Sequence, residues 1–321
     1  MNVEEIPAKL REGIDALRLG ISDLRTQLLA RRVLVELGDD RLSGVALGRN
    51  GPTIDLPLPV GACRDGVPLE REAIGDLIGD LFLELGLAGA RVCACLPRSA
   101  SSWKVARWPR GRMPENGRAE LRLQAPDLGL PWPLAEMYLE VEPLPGEPPR
   151  SLVLGAPQAA VDGWAEVFEL AGLQLQRLLI PQVCEWRMLI SLTENPQRGL
   201  EQWLLTLEPG RSRLWIVSDG VPVADWDLPG QPTQADEPTR SGLDPNLKAA
   251  LERCRQFWQQ QTGGLAHQQW LVYGEDASVD CAESELRRML PSGILQRWRP
   301  AAANATLGLR LSGLRLCMGW P

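Results

Sequence analysis

Apolar residues recur along this chain with two distinct periods. From Ile6 to Leu28 they return every three or four positions (Ile6, Leu10, Ile14, Leu17, Ile21, Leu24, Leu28), which is one stripe of a helix over residues 4–31. Gly13 and Gly20 lie on one flank of that helix and weaken it in isolation. The stripe either packs on its own domain or docks on another chain. From residue 33 the period shortens. Val33-Leu34-Val35-Glu36-Leu37-Gly38, a second apolar run, an Asn50-Gly51 turn and a strand ending Asp55-Leu56-Pro57 read as a three-strand meander. The plan returns at Trp203-Leu204-Leu205-Thr206-Leu207-Glu208-Pro209-Gly210, followed by Leu214-Trp215-Ile216-Val217, an Asp219-Gly220 turn and a strand ending Asp227-Leu228-Pro229. Glu36 precedes Asp55 by nineteen positions, and Glu208 precedes Asp227 by the same interval. Asn-Gly and Asp-Gly between apolar runs signal tight hairpins, because both central residues must take positive φ. Two such meanders predict two related α/β domains facing a shared cleft.

Between and after the meanders the pattern alternates helix and strand. Helices are expected at Leu69 to Leu87, Gln158 to Ala171 (stopped by Gly172), Gln182 to Leu192, Leu247 to Gln260, Ser278 to Leu290 and Ala303 to Leu314. Strands are expected at Ala90 to Leu96, Ser151 to Gly155, Leu173 to Ile180, Gln269 to Tyr273 and Leu295 to Trp298. Residues 98–150 have weak periodicity and are rich in Arg, Gly and Pro, which reads as a small inserted subdomain with long loops. A polar loop follows Pro229.

Composition narrows the function classes. A length of 321 residues holds two ordinary domains, and 44% apolar with 23% charged residues is normal for a globular chain. A net charge of −7 argues against non-specific nucleic-acid binding and against docking on anionic lipid. The longest nearly apolar stretch, Leu77 to Leu96, is broken by Asp80, Glu84 and Arg91, so no membrane span is expected and a cytoplasmic location is. Seven Cys, mostly within apolar runs, fit reduced core thiols, not a disulfide framework. Cys93 and Cys95 share a strand face, but a metal site needs two further ligands. Twelve Trp against three Phe and two Tyr is unusual; Trp103, Trp108 and Trp132 lie in loop-rich sequence, where an exposed ring could anchor a partner.

The doubled order of strand, Glu-x-Gly turn, hairpin, edge, helix and strand resembles the actin-like ATPase fold. Finer features resemble the PilM family of type IV pilus assembly proteins: Val92-Cys93-Ala94-Cys95-Leu96-Pro97 before Trp103 to Trp108, Leu130-Pro131-Trp132-Pro133-Leu134-Ala135-Glu136-Met137, and Leu152-Val153-Leu154-Gly155-Ala156-Pro157 through Ala171-Gly172-Leu173. Glu252-Arg253-Cys254-Arg255-Gln256-Phe257-Trp258 is similar to its late helix and Thr306-Leu307-Gly308-Leu309 to its closing Gly-Leu helix. The resemblance spans roughly 33–314 and rests on the order of many weak matches. It implies an N-terminal helix (1–31), a first actin-like domain (32–195, with the insert at about 98–150), a reduced second one (196–314, with a polar loop at 229–245) and a tail (315–321).

The same resemblance implies ATP or ADP with Mg²⁺, held at Gly38, Asp39, Arg41, Gly210, Arg211, Ser212, Gly274 and Gly308, with Glu36 and Glu208 toward the metal. The departures point to a degenerate site. Glu stands at 36 and 208 where the family has Asp. Asp39 and Asp40 follow Gly38 where the family prefers Ser, and like charges beside a triphosphate repel it. Tyr273-Gly274 replaces an adenosine-side Gly-Gly. The expected role is therefore a non-enzymatic scaffold of a type IV pilus inner-membrane platform. It would bind the cytoplasmic tail of a PilN-like membrane protein in a groove lined by Trp103, Trp108, Leu130, Trp132, Leu134 and Met137, alongside other platform proteins. The alternatives are an active Mg-ATP-binding ATPase and the cytoplasmic part of a type II secretion platform.

Overall fold

The computed structural model describes residues 31–48, 51–108, 114–124, 129–144, 149–191, 200–207, 211–230, 243–262, 267–274, 276–290, 294–298 and 308–319. The expected helix over 4–31, Asn50, the Glu208 to Gly210 turn and most of the polar loop lie outside these residues. In chain order the elements begin with β1 (Arg32–Leu37), β2 (Arg41–Ala46), β3 (Thr53–Pro57), β4 (Cys63–Arg64), β5 (Val67–Pro68), α1 (Arg71–Glu84), β6 (Arg91–Cys95), β7 (Ser102–Arg107) and α2 (Gly117–Gln124). They continue with β8 (Met137–Leu144), β9 (Arg150–Pro157), α3 (Gln158–Leu170), β10 (Gln174–Leu179), α4 (Pro181–Ser191), β11 (Leu200–Leu207), β12 (Arg211–Ser218) and β13 (Val221–Pro229). The last are α5 (Pro245–Thr262), β14 (His267–Gly274), α6 (Asp276–Met289), β15 (Ile294–Arg297) and α7 (Leu309–Met318).

Two compact units emerge. One joins Met1–Ala100 to Pro157–Leu179; the other joins Ser101–Ala156 to Ile180–Pro321. The first holds a five-stranded sheet in the order β10-β6-β1-β2-β3. β1 runs antiparallel to β2 and parallel to β6, β6 is parallel to β10, and β2 is antiparallel to β3. Val33, Leu34 and Val35 are consecutive and fully buried, the mark of a strand covered on both faces. α1 and α3 lie side by side. Gly75 allows this, because a Cβ there would stand 2.7 Å from the Leu170 side chain.

In the second unit the main sheet runs β15-β14-β11-β12-β13. Each neighbour pair has the same sense as its counterpart in the first sheet: β11–β12 and β12–β13 antiparallel, β11–β14 and β14–β15 parallel. One face carries the apolar core of Trp203, Leu205, Leu214, Ile216, Trp270 and Val272 against α5 and α6 residues such as Leu251 and Leu286. Trp203 and Trp270 stack there with centroids 4.6 Å apart. A three-stranded sheet, β7-β9-β8, belongs to this unit by its contacts.

Local turns and helix ends differ in detail from the expected pattern. Asp219 and Gly220 take the paired positive φ of a tight hairpin (49° and 77°), whereas Asn50 of the expected Asn50-Gly51 turn lies outside the described residues. β2 ends at Ala46 and β3 starts at Thr53, and among the described residues between them Gly48 takes a positive φ (131°). Asp65 (51°) and Gly66 (78°) form a second Asp-Gly hairpin, between β4 and β5, that the pattern reading passed over. The closing helix expected over Ala303 to Leu314 runs Leu309–Met318, with Gly308 as its extended N-cap and a left-handed Gly319 after it; residues 303–307 lie outside the described residues. Among the described residues no helix is long and apolar enough to cross a membrane.

Candidate functional site

The turn after β1 is built from its own polar groups. The Gly38 N–H donates to the Arg41 carbonyl at 2.8 Å. The Asp39 carboxylate accepts the Gly66 N–H at 2.5 Å on one oxygen and the Ser99 hydroxyl at 2.9 Å on the other. Gly66 is the left-handed tip of the β4–β5 hairpin, and a Cβ there would strike Ala100 at 2.4 Å. Glycine alone lets the hairpin tip reach the 98–100 turn, and Asp39 then closes over both. Trp164 fixes the hairpin from behind, its indole N–H donating to the Gly66 carbonyl at 2.9 Å. Arg41 pairs with Asp55 at 3.4 Å on the exposed sheet edge. Glu36 sits half-buried on β1, opposite Ser43 in register. Thus Gly38, Asp39 and Arg41 do come together, but their bonds are satisfied within the unit. Asp39 also adds to the burial that pushes the Cys63 thiol up to about 11.

In the second unit, Glu208, Gly210 and the Arg211 side chain lie outside the described residues. Ser212 is fully buried. Strand alternation puts it with Leu214 and Ile216 on the apolar face, so it faces the core and not a turn. Gly274 and Gly308 meet through Tyr273. Gly274 pairs with Leu207, whose carbonyl would lie 2.6 Å from a Cβ at 274. The Tyr273 hydroxyl would lie 2.9 Å from a Cβ at Gly308, and its ring packs edge-on against Trp298 at 5.2 Å. The N–H groups of Gly38 and Gly66 are already taken, and a phenol closes on the α7 N-cap.

The six residues expected to line one groove lie on opposite faces of the β7-β9-β8 sheet. Trp108 (6% exposed) and Met137 (0%) are core residues of one face, with Leu121, Leu139 and Val153; Leu130, Trp132 and Leu134 pack half-buried against them. Trp108 is no exposed anchor, and its indole N–H donates to the Ser151 hydroxyl at 2.9 Å. Trp103 alternates to the other face, opposite Leu154 in register. There it stacks on Trp215 at 5.2 Å and donates its N–H to Asp225 at 2.7 Å. This contact fastens the small sheet to β12 and β13.

Trp103 leads into a buried polar cluster that the sequence reading missed. Arg213 forks onto both oxygens of Asp225, with Asp227 at 3.9 Å. Behind Trp215, Glu185 on α4 is fully buried and accepts the Arg310 guanidinium of α7 at 2.9 Å. Burial pushes the Glu185 carboxyl above the usual range, with Arg310 and the neighbouring Trp215 pulling it back. Asp225 is raised by burial in the same way, opposed by Arg213 and Trp103. Gly313 makes the α4–α7 contact, since a Cβ there would overlap the Cys184 carbonyl at 1.9 Å. The available signal was a charge on an apolar helix stripe, at Glu185 and again at Arg310.

No family model matches the sequence, and no curated protein does. Solved structures do match. One chain of a PilM–PilN type IV pilus biogenesis complex superposes with a TM-score of 0.67 at 18% identity, covering 90% of this chain and 98% of that one. A protein of Bacteroides thetaiotaomicron, described as having an actin-like ATPase fold and unknown function, superposes with a TM-score of 0.51 at 9% identity, covering 91% and 97%. The fold is actin-like, in its PilM-like form. At such identities the PilM-like chain shares architecture and not a demonstrated site. Within this chain the two five-stranded sheets share one strand order and one set of pairing senses.

Proposed function

We propose that this PilM-like chain is a non-enzymatic scaffold of a type IV pilus assembly platform, holding the cytoplasmic tail of a PilN-like inner-membrane protein. The observation that carries the reading is the near full-length superposition on one chain of a PilM–PilN type IV pilus biogenesis complex. In this reading the two similar sheets are a duplicated pair of actin-like domains, the second reduced, with residues 98–150 as an insert. Of the six groove residues, Leu130, Trp132 and Leu134 keep exposed surface and are the ones available to a peptide. Trp103, Trp108 and Met137 would act by holding the small sheet in shape. The Asp39 clasp and the position of Tyr273 support a nucleotide site that has decayed. Calorimetric titration with a PilN-like tail peptide tests the reading; saturable heat, reduced by Trp132→Ala, is expected. A folded protein that gives no heat refutes it. A rise in Tm with millimolar Mg-ATP would instead favour an active ATPase.

A further inference from the structure

We propose that residues 4–30 of this chain fold back as an amphipathic helix onto the seam between α1 and α3, where they cover Leu83 and Leu170 and set a row of arginines against the acidic flank of α1. This docking goes beyond the scaffold function and does not depend on it.

The seam is where the two helices come closest. A Cβ at Gly75 would stand 2.7 Å from the Leu170 side chain, and one at Gly79 would stand 3.4 Å from the Ala171 carbonyl oxygen. The wet side of this seam is not wholly polar: Leu83 is 67% exposed and Leu170 46%. The chain enters the unit at the same end. The Arg31 carbonyl accepts the Arg91 N–H at 2.8 Å, and the Ala90 carbonyl accepts the Gln174 N–H at 2.9 Å, so β1, β6 and β10 start side by side. α1 stops at Glu84, shortly before β6, and α3 stops at Leu170, shortly before β10. The stretch upstream of Arg31 therefore starts from the sheet end that carries both leucines. As a helix it would be about 40 Å long, more than enough to lie along α1.

The segment's own pattern selects this surface over a second copy. Leu10, Leu17 and Leu24 alternate with Ile14, Ile21 and Leu28 in the spacing of a two-stranded coil, and each of the three leucines is followed by an arginine, at Arg11, Arg18 and Arg25. In such a coil the arginines would occupy one flank of the apolar seam, and Gly13, Gly20 and Gln27 the other. No acid stands on either flank to pair with them; Glu12, Asp15 and Asp23 fall at outward positions. The acid lies on α1 instead. Asp76, Asp80 and Glu84 are exposed and follow one another at the four-residue spacing of a single helix face, next to Leu83. Glu169 is exposed beside Leu170 on α3. An apolar stripe edged with positive charge thus matches two exposed leucines edged with negative charge.

Hydrogen exchange of the full-length chain, read by mass spectrometry at peptides within residues 10–28, tests this. The native chain is compared with Leu83→Lys/Leu170→Lys, which changes two exposed side chains, with folding checked by circular dichroism. The native amides are expected to be protected to the same degree at every protein concentration, and the variant to exchange them roughly tenfold faster or more. No protection in the native chain overturns the proposal, and so does protection that survives in the variant. Protection that grows with protein concentration assigns the stripe to a second copy. Protection that appears only with phosphatidylglycerol vesicles assigns it to a lipid surface. Either result also overturns the proposal. Should Leu83→Lys/Leu170→Lys not fold, Leu83→Gln/Leu170→Gln gives the same comparison, and unchanged protection there overturns it equally.

Discussion

Replacing Arg310 by leucine takes the cationic partner from Glu185 in the core. The carboxylate is fully buried, its raised pKa is already set by burial, and Arg310 is the main opposing influence. Breaking a buried pair from one side costs about 3–5 kcal/mol. The structure sets how that cost depends on pH. In the variant Glu185 avoids a buried charge by holding a proton. Keeping a proton at pH 7 on a group that ionises near 4.3 when unfolded costs on the order of 3–4 kcal/mol, and about 1 kcal/mol at pH 5. The sign follows from linkage. The unfolded chain releases this proton first, so the variant loses stability as pH rises through the window above 4.3 and recovers it toward acid. Urea melts followed by tryptophan fluorescence at pH 5 and pH 7 check this, since Trp215 lies beside Glu185. Arg310→Leu is expected to melt far earlier than the native chain at pH 7 and nearer to it at pH 5. Glu185→Leu/Arg310→Leu is expected to recover most of the loss at both, as apolar replacement of a whole buried pair often does. A deficit that does not change with pH, or a double variant no better than the single, refutes the reasoning.

Gly313→Ala places a methyl into the Cys184 carbonyl and is expected to destabilise the second unit by about 1–3 kcal/mol or more, read as a lowered Tm. Trp103→Phe keeps most of the stacking on Trp215 but takes a donor from buried Asp225, at a cost of about 1–3 kcal/mol; limited proteolysis should then cut residues 101–156 sooner than in the native chain. Burial holds the Cys63 and Cys93 thiols at about 11, so neither should be alkylated at pH 8 until the chain is unfolded, as mass spectrometry would show.

Much of the architecture was written in local pattern. Unbroken apolar runs such as Val33-Leu34-Val35 and Trp203-Leu204-Leu205 announced central strands, because a strand covered on both faces has no polar side to alternate with. Asp219-Gly220 announced its hairpin, because the residues needed for positive φ are few. Even β8 was legible in principle: Met137, Leu139 and Val141 alternate with Tyr138, Glu140 and Glu142, but the surrounding prolines drew attention to loops. What the sequence could not decide was which polar groups would meet. Asp39 looked like a charge placed against a phosphate; only the packing of Gly66 against Ala100 brings it two internal donors. Trp103 and Trp108 sit on one short segment and looked like one surface, yet the strand's alternation sends them to opposite faces. Glu185 and Arg310 are 125 positions apart, and their union exists only because Gly313 lets two helices touch. Backbone periodicity is a property of neighbours in the chain, so the sequence carries it. Pairing between distant polar side chains depends on which elements pack together, and that belongs to the tertiary structure.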